Sequence, residues 1–262
     1  LGTSTGANLV GDFNTLTGYG AGRDVIGSNN TATGNYAGRA VTGNGNVALG
    51  NLAGTKVTGT PVYNNATGEV VAGSVTFSAL SINNTVAIGN LALASKDNAI
   101  AIGHGAQASG DSSISIGTGN VVSGARSGAI GDPTYITGDD SYAIGNNNKI
   151  DADSAFVLGN NVTVAAGLDG AVALGNNSTV EASTIASYNP GALAVVGTAV
   201  GSNVVSVGAA GAERRITNVA AGGAPTDAVN VSQLQSLADT VEANEIHYFS
   251  VNDNGVAGGN YD

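Results

Sequence analysis

A glycine that returns every 14 residues limits what this chain can fold into more than any other feature. Gly89, Gly103, Gly117, Gly131, Gly145 and Gly159 are evenly spaced, and Gly175 follows after a step of 16. Three residues before these glycines stand Val86, Ile100, Ile114, Tyr142, Phe156 and Val172; directly before them stand Ile88, Ile102, Ile116, Ile130, Ile144, Leu158 and Leu174. A small residue lies between, as in Ala101, Ser115 and Ala143. Alternation with period two marks a strand with one buried face. Five residues after the glycine come Ala94, Ala108, Val122, Ile136, Ile150, Val164 and Val180, and two further on comes a small residue, as in Gly110, Gly124 and Gly138. Each unit reads as two short strands and two tight corners, which is one coil of a β-solenoid.

The N-terminal stretch repeats with a period of 16 instead: Gly2, Gly18, Gly34 and Gly50, then Gly6, Gly22, Gly38 and Gly54, then Gly11, Gly27, Gly43 and Gly59. Leu9, Val25, Val41 and Val57 keep the same step. Residues 1–59 and 85–184 are therefore expected to be two solenoid stretches, with a β-hairpin insertion over 60–84 and irregular final coils over 185–213. At the spacing of paired strands, seven 14-residue units make a rod about 33 Å long. So thin a coil leaves an apolar face uncovered, which predicts lateral association with copies of itself.

From Thr226 the pattern turns helical, with Thr226 as the expected cap. Val231, Leu234, Ala238 and Val241 fall at the spacing of a short coiled-coil seam; Leu234, Leu237, Val241 and Asn244 form the alternative. Some sixteen residues of helix need partners to be stable in water. The segment from 246 to 262, beginning "IHYFSVNDNG", returns to strand character, as the start of a further domain.

Composition removes several functions. The formal charge is −11 with only 8 Lys and Arg, which disfavours nucleic acid and anionic membrane surfaces as partners. No cysteine is present, so disulfides, zinc thiolates and cysteine catalysis are excluded. The 41 glycines come with only 4 prolines, unlike collagen. No apolar run approaches the roughly 18 residues of a spanning helix. With no Met and no signal peptide, the chain reads as a processed or excised segment.

The motifs that suggest chemistry yield to the repeat. "AIGHGAQASG" (101–110) resembles a phosphate-cradling glycine loop, but Gly103 recurs in every unit with no helix after it, and such a loop needs that helix. Gly2-Thr3-Ser4-Thr5-Gly6 fits a nucleophile elbow, yet the serine column continues as Gly20, Tyr36 and Leu52. His104 shares its column with Thr118, Asp132, Asn146 and Asn160, a solvated corner. Asp139, Asp140, Asp151 and Asp153 could suggest calcium, but the G-G-x-G-x-D repeat of calcium-binding β-rolls is missing. Neither a cofactor nor a catalytic or metal residue is expected. The column four residues after the glycine, with Gln107, Val121, Tyr135, Lys149 and Thr163, should point outward and is the candidate ligand face.

"RRITNVAAGGAPTDAVNVSQL" (214–234) resembles the neck of trimeric autotransporter adhesins, and "NAIAIGHGAQASG" and "DSYAIGNNNKIDA" resemble their head repeats. The resemblance implies an all-β head made of a left-handed parallel β-roll, three chains packed as a homotrimer, a neck over 214–230 and a short trimeric coiled-coil stalk over 231–245. By matching motif, Arg215, Ile216, Thr217, Asn218, Val219, Asp227, Ala228, Val229, Asn230 and Val231 are neck residues, and Leu234 and Val241 line the coiled-coil core. It also implies a place on the outer surface of a Gram-negative bacterium, with a membrane anchor beyond this stretch. Attachment to collagen, fibronectin, laminin or host cell receptors is implied as well. A passive spacer is the nearest alternative. A hexapeptide-repeat acyltransferase is disfavoured, because 14 is not a multiple of six.

Overall fold

The computed structural model describes residues 2–64, 70–71, 73–181, 197 and 203–244. They fall into two units, one over 2–181 and 203–214 and the other over 197 and 215–244.

The first unit is a parallel β-solenoid of about eleven turns. Its long sheet stacks eleven strands: Thr15–Thr17, Thr31–Thr33, Val47–Leu49, Val86–Ile88, Ile100–Ile102, Ile114–Ile116, Gly128–Ile130, Tyr142–Ile144, Phe156–Leu158, Val172–Leu174 and Val205–Ser206. Six shorter strands form the facing sheet: Leu93–Ala94, Gln107–Ala108, Val121–Val122, Thr134–Ile136, Asn148–Ile150 and Thr163–Val164. Registers are strict, with Ile100 opposite Ile114 and Ala108 opposite Val122.

Which face turns inward is the main structural surprise. The alternation does mark two faces, but in the long sheet the inward one is small: Ala32, Ala48, Ala87, Ala101, Ser115, Ala129, Ala143, Val157 and Ala173 are buried. The large residues on either side point out. Ile130, Tyr142, Ile144, Phe156 and Leu158 are 38–48% exposed in the single chain. The cause is volume. Across the coil the facing sheet turns Ala94, Ala108, Val122, Ile136, Ile150 and Val164 inward, and two strands so close leave a limited shared volume: small residues on the long sheet where the facing sheet supplies isoleucine, and valine on both at Val157 and Val164. In the coils from 87 to 108 the core cluster is wholly alanine.

The repeating glycine sits where successive coils touch. Gly89, Gly103, Gly117, Gly131 and Gly145 have φ between +126° and +147°. A Cβ on Gly89 would lie 2.5 Å from the carbonyl oxygen of Gly103, and one on Gly103 would collide with that of Gly117. Gly18, Gly34 and Gly50 repeat the geometry, and Gly159 shares the close approach, to Gly175, without the left-handed φ. Only glycine meets both demands, positive φ and close backbone approach.

Buried and half-buried polar residues run along the inside of the corners. Asn14, Asn30, Asn46 and Thr85 form one such ladder: the backbone N–H of Asn30 donates to Oδ1 of Asn14 (2.9 Å), that of Asn46 to Oδ1 of Asn30 (3.0 Å) and that of Thr85 to Oδ1 of Asn46 (3.1 Å). Ser127 and Ser141 continue it, their hydroxyls accepting the N–H of Ser141 and Ala155. Each rung satisfies a backbone group that would otherwise be buried without a partner.

The insertion departs in its bounds from the expected 60–84. Its antiparallel pair is Lys56–Thr58 with Thr76–Ser78, followed by a bridge between Tyr63 and Val70. Val57 thus leaves its 16-residue column to face Phe77, and Leu80 takes the place next to Val41 in the solenoid. The inward column of Val25 and Val41 continues through Leu80 and Ile82, so residues 80–84 already belong to the next coil.

In the second unit the helix is Val231–Ala243, and its cap is Asn230 rather than Thr226. Asn230 accepts the Gln233 N–H while the Gln233 side chain accepts the Asn230 N–H, a reciprocal capping box that Thr226 cannot form. No residue of this helix is buried in the single chain. The strand character expected from 246 onward, and most of the stretch 185–202, lie outside the described residues.

Candidate adhesive surface

The facing sheet brings the candidate ligand residues together. Gln107 pairs with Val121, Val121 with Tyr135, Tyr135 with Lys149 and Lys149 with Thr163, one per coil. Their neighbours Ala108, Val122, Ile136, Ile150 and Val164 are buried, so the column itself is turned outward by the strand period. Tyr135 is 48% exposed and Val121 half-buried. The Lys149 ammonium is ion-paired with Asp151, which also accepts the Thr137 hydroxyl at 2.8 Å. The result is an open ladder of one aromatic, one aliphatic and three polar side chains, suited to docking against a surface.

The corners explain the acidic residues. Oδ1 of Asp139 accepts the Ala125 N–H, Oδ1 of Asp153 accepts the Asp139 N–H, and Oδ1 of Asp169 accepts the Asp153 N–H, at 2.8 to 3.0 Å. These carboxylates tie coil to coil. Asp140 instead receives both Nε and Nη2 of Arg126 at 2.6 and 2.7 Å; those hydrogen bonds hold its pKa below, and that of Arg126 above, the ordinary value. Among the described residues no group of His, Asp or Glu could hold a metal ion. His104 is exposed at its corner.

Nor does the Gly2–Gly6 motif build an elbow. Ser4 has φ +59°, and its column partners Gly20, Tyr36 and Leu52 have φ +60°, +53° and +57°. The column is defined by left-handed backbone, whatever its side chain. Thr5 Oγ1 donates to the carbonyls of Gly2 and Gly18 at 2.6 and 2.5 Å, again joining coils.

The neck residues lie in the second unit. Asn230 Nδ2 donates to the Val219 carbonyl (3.1 Å), and the Gln233 amide exchanges hydrogen bonds with Gly222 at 2.8 and 2.9 Å. Asp227 Oδ2 accepts the N–H groups of Ala224 (2.9 Å) and Gly223 (3.0 Å), which hold its carboxyl below the ordinary range. Asn218 takes a left-handed φ of +62°. Arg215, Ile216, Thr217, Ala228 and Val229 are exposed, as are Val231, Leu234, Leu237 and Val241 of the helix. Sequence reasoning missed the inward Asn and Ser ladders, although Asn14, Asn30 and Asn46 carry the same 16-residue step as the glycines.

These features define a class: a stacked β-solenoid head with open, polar corners, followed in the chain by a helix built for a coiled coil. The family of YadA head domain repeats matches residues 83–106, 108–132 and 137–161, and the family described as the coiled stalk of trimeric autotransporter adhesin matches residues 215–257. The chain carries both parts in that order, and these matches support a trimeric autotransporter adhesin, a non-enzymatic structural or adhesive protein. Its place is the extracellular passenger region at the cell surface. The crystal structure of the collagen-binding domain of the Yersinia adhesin YadA is similar over 76% of this chain and 86% of that one, at 21% identity and a TM-score of 0.43. Curated protein sequences offer no match.

Proposed function

We propose that this chain forms the head of a homotrimeric adhesin displayed at the outer membrane of a Gram-negative bacterium, attaching it to host cells or to extracellular matrix proteins such as collagen, fibronectin or laminin. The observation that carries the trimer is the outward turn of the large residues on the long sheet. Ile130, Tyr142, Ile144, Phe156 and Leu158 form an apolar stripe too continuous to be left in water. The exposed helix seam at Val231, Leu234, Leu237 and Val241 asks for the same partners.

With the long sheets facing one another, the facing sheet remains for adhesion. Its ladder from Gln107 to Thr163 repeats one contact per coil, so weak contacts add along the rod. The test is a binding screen of the trimeric chain against collagen, fibronectin, laminin and host cells, with Tyr135→Ala and Val121→Ser beside it. Binding weakened by both substitutions supports this reading. Uniform failure to bind favours a passive spacer.

A further inference from the structure

The basic residues of this chain are unevenly placed. Of its 8 Lys and Arg, three (Arg23, Arg39 and Lys56) fall within the first 60 residues, where the acidic residues are Asp12 and Asp24 alone of 19. The first coils therefore carry a small net positive charge, and the rest of the chain is strongly acidic.

Two of the three cations share one carboxylate. Nε of Arg23 and Nε of Arg39 lie 3.5 and 3.6 Å from the same Asp24 Oδ2, while Asp24 Oδ1 accepts the Asn8 amide at 2.7 Å. Neither Nε makes a hydrogen bond. One carboxylate cannot neutralise two guanidinium groups, and burial together with repulsion from Arg23 lowers the Arg39 pKa. The Arg39 guanidinium lies over Phe77 of the insertion, 3.7 Å from the ring centre, with Tyr36 at 5.3 Å. By contrast, Arg126 has Asp140 to itself and Lys149 has Asp151.

We propose that Arg23 and Arg39 form a binding site for an anionic glycan, with the insertion serving to hold Arg39 in place through Phe77. Forked guanidinium groups one coil apart suit the sulfate or carboxylate groups spaced along an acidic sugar chain. The acidic remainder of the chain repels such a ligand, which directs it to these first coils. The site is separate from the Gln107–Thr163 ladder, so its failure leaves the matrix-protein reading standing.

The experiment measures binding of the trimeric chain to immobilised heparin, to a sialylated glycan bearing carboxylates alone, and to a neutral glycan of similar length, at 50 and 300 mM salt. Arg23 is 37% exposed against 16% for Arg39, so the informative variant is Arg23→Gln, which leaves the Arg39–Phe77 packing intact. Lys96→Gln is the control. The expected result is binding to one or both anionic arms, weakened by salt, about tenfold weaker in Arg23→Gln and unchanged in Lys96→Gln. The two anionic arms separate sulfate from carboxylate recognition. Absence of binding to both anionic arms, equal binding to the neutral glycan, or an unchanged affinity in an Arg23→Gln variant of unaltered melting temperature overturns the proposal.

Discussion

The side-chain oxygen of Asn30 accepts the backbone N–H of Asn46, one coil further along, at 3.0 Å, while the Asn30 amide donates to the Gly43 carbonyl at 3.0 Å. One buried side chain thus satisfies groups on the next coil from both of its ends. Asn30→Ala removes these hydrogen bonds and the one that Oδ1 accepts from the Asn46 side-chain amide, and leaves the Asn46 N–H and the Gly43 carbonyl without these partners. The expected loss is about 1–3 kcal/mol, read as a lowered midpoint of chemical denaturation. Asn14→Ala, at a partly exposed position, should cost less.

The repeating glycines divide into two kinds that alanine distinguishes. Gly103→Ala drives a Cβ into the Gly117 carbonyl and strains a φ of +130°. Gly105 has φ +64° and open space where its Cβ would be. Gly105→Ala should therefore cost about 1–2 kcal/mol, from backbone strain alone. Gly103→Ala should cost more than about 3 kcal/mol or abolish folding, because backbone cannot move aside within a close-packed stack. Thermal melts of the two variants side by side check the contrast.

Asn230→Ala removes the helix cap and its hold on Val219. The predicted cost is about 1 kcal/mol, seen as earlier loss of the helical circular-dichroism signal. Thr226→Ala should leave that signal unchanged, since the helix begins at Val231.

Asp227 gives a pH signature. Its folded pKa is depressed, first by the Ala224 N–H and then by the Gly223 N–H. Its contribution is complete above the ordinary aspartate value of 3.8 and is lost as pH falls through the lower folded value. The amide resonances of Ala224 and Gly223 should therefore hold steady through pH 4 and shift only on further acidification; Asp227→Asn should flatten that titration.

Much of this was legible in the sequence because each coil repeats the demands of the last. The positive φ of Gly103 and the burial of Ala108, Val122 and Ile136 follow from their columns alone. What the pattern could not tell was which side of Ile100-Ala101-Ile102 faces in. Alternation names two faces, and the choice depends on the distance to the opposite sheet, a property of the closed coil. The cap was similarly open: Thr226 and Asn230 are both residues that cap helices, and only the reciprocal bond to Gln233 selects Asn230. The insertion's bounds were hidden because Val57 keeps the 16-residue step while its backbone has already turned away to pair with Phe77.

The outward apolar face is what links this fold to adhesion, and the mass of the protein in solution tests it most directly. Light scattering on the purified chain is predicted to give three times its 25.3 kDa, and Ile144→Asp with Leu158→Asp should shift the species toward one chain. A stable particle with the mass of a single chain, its long sheet open to water, would contradict the account.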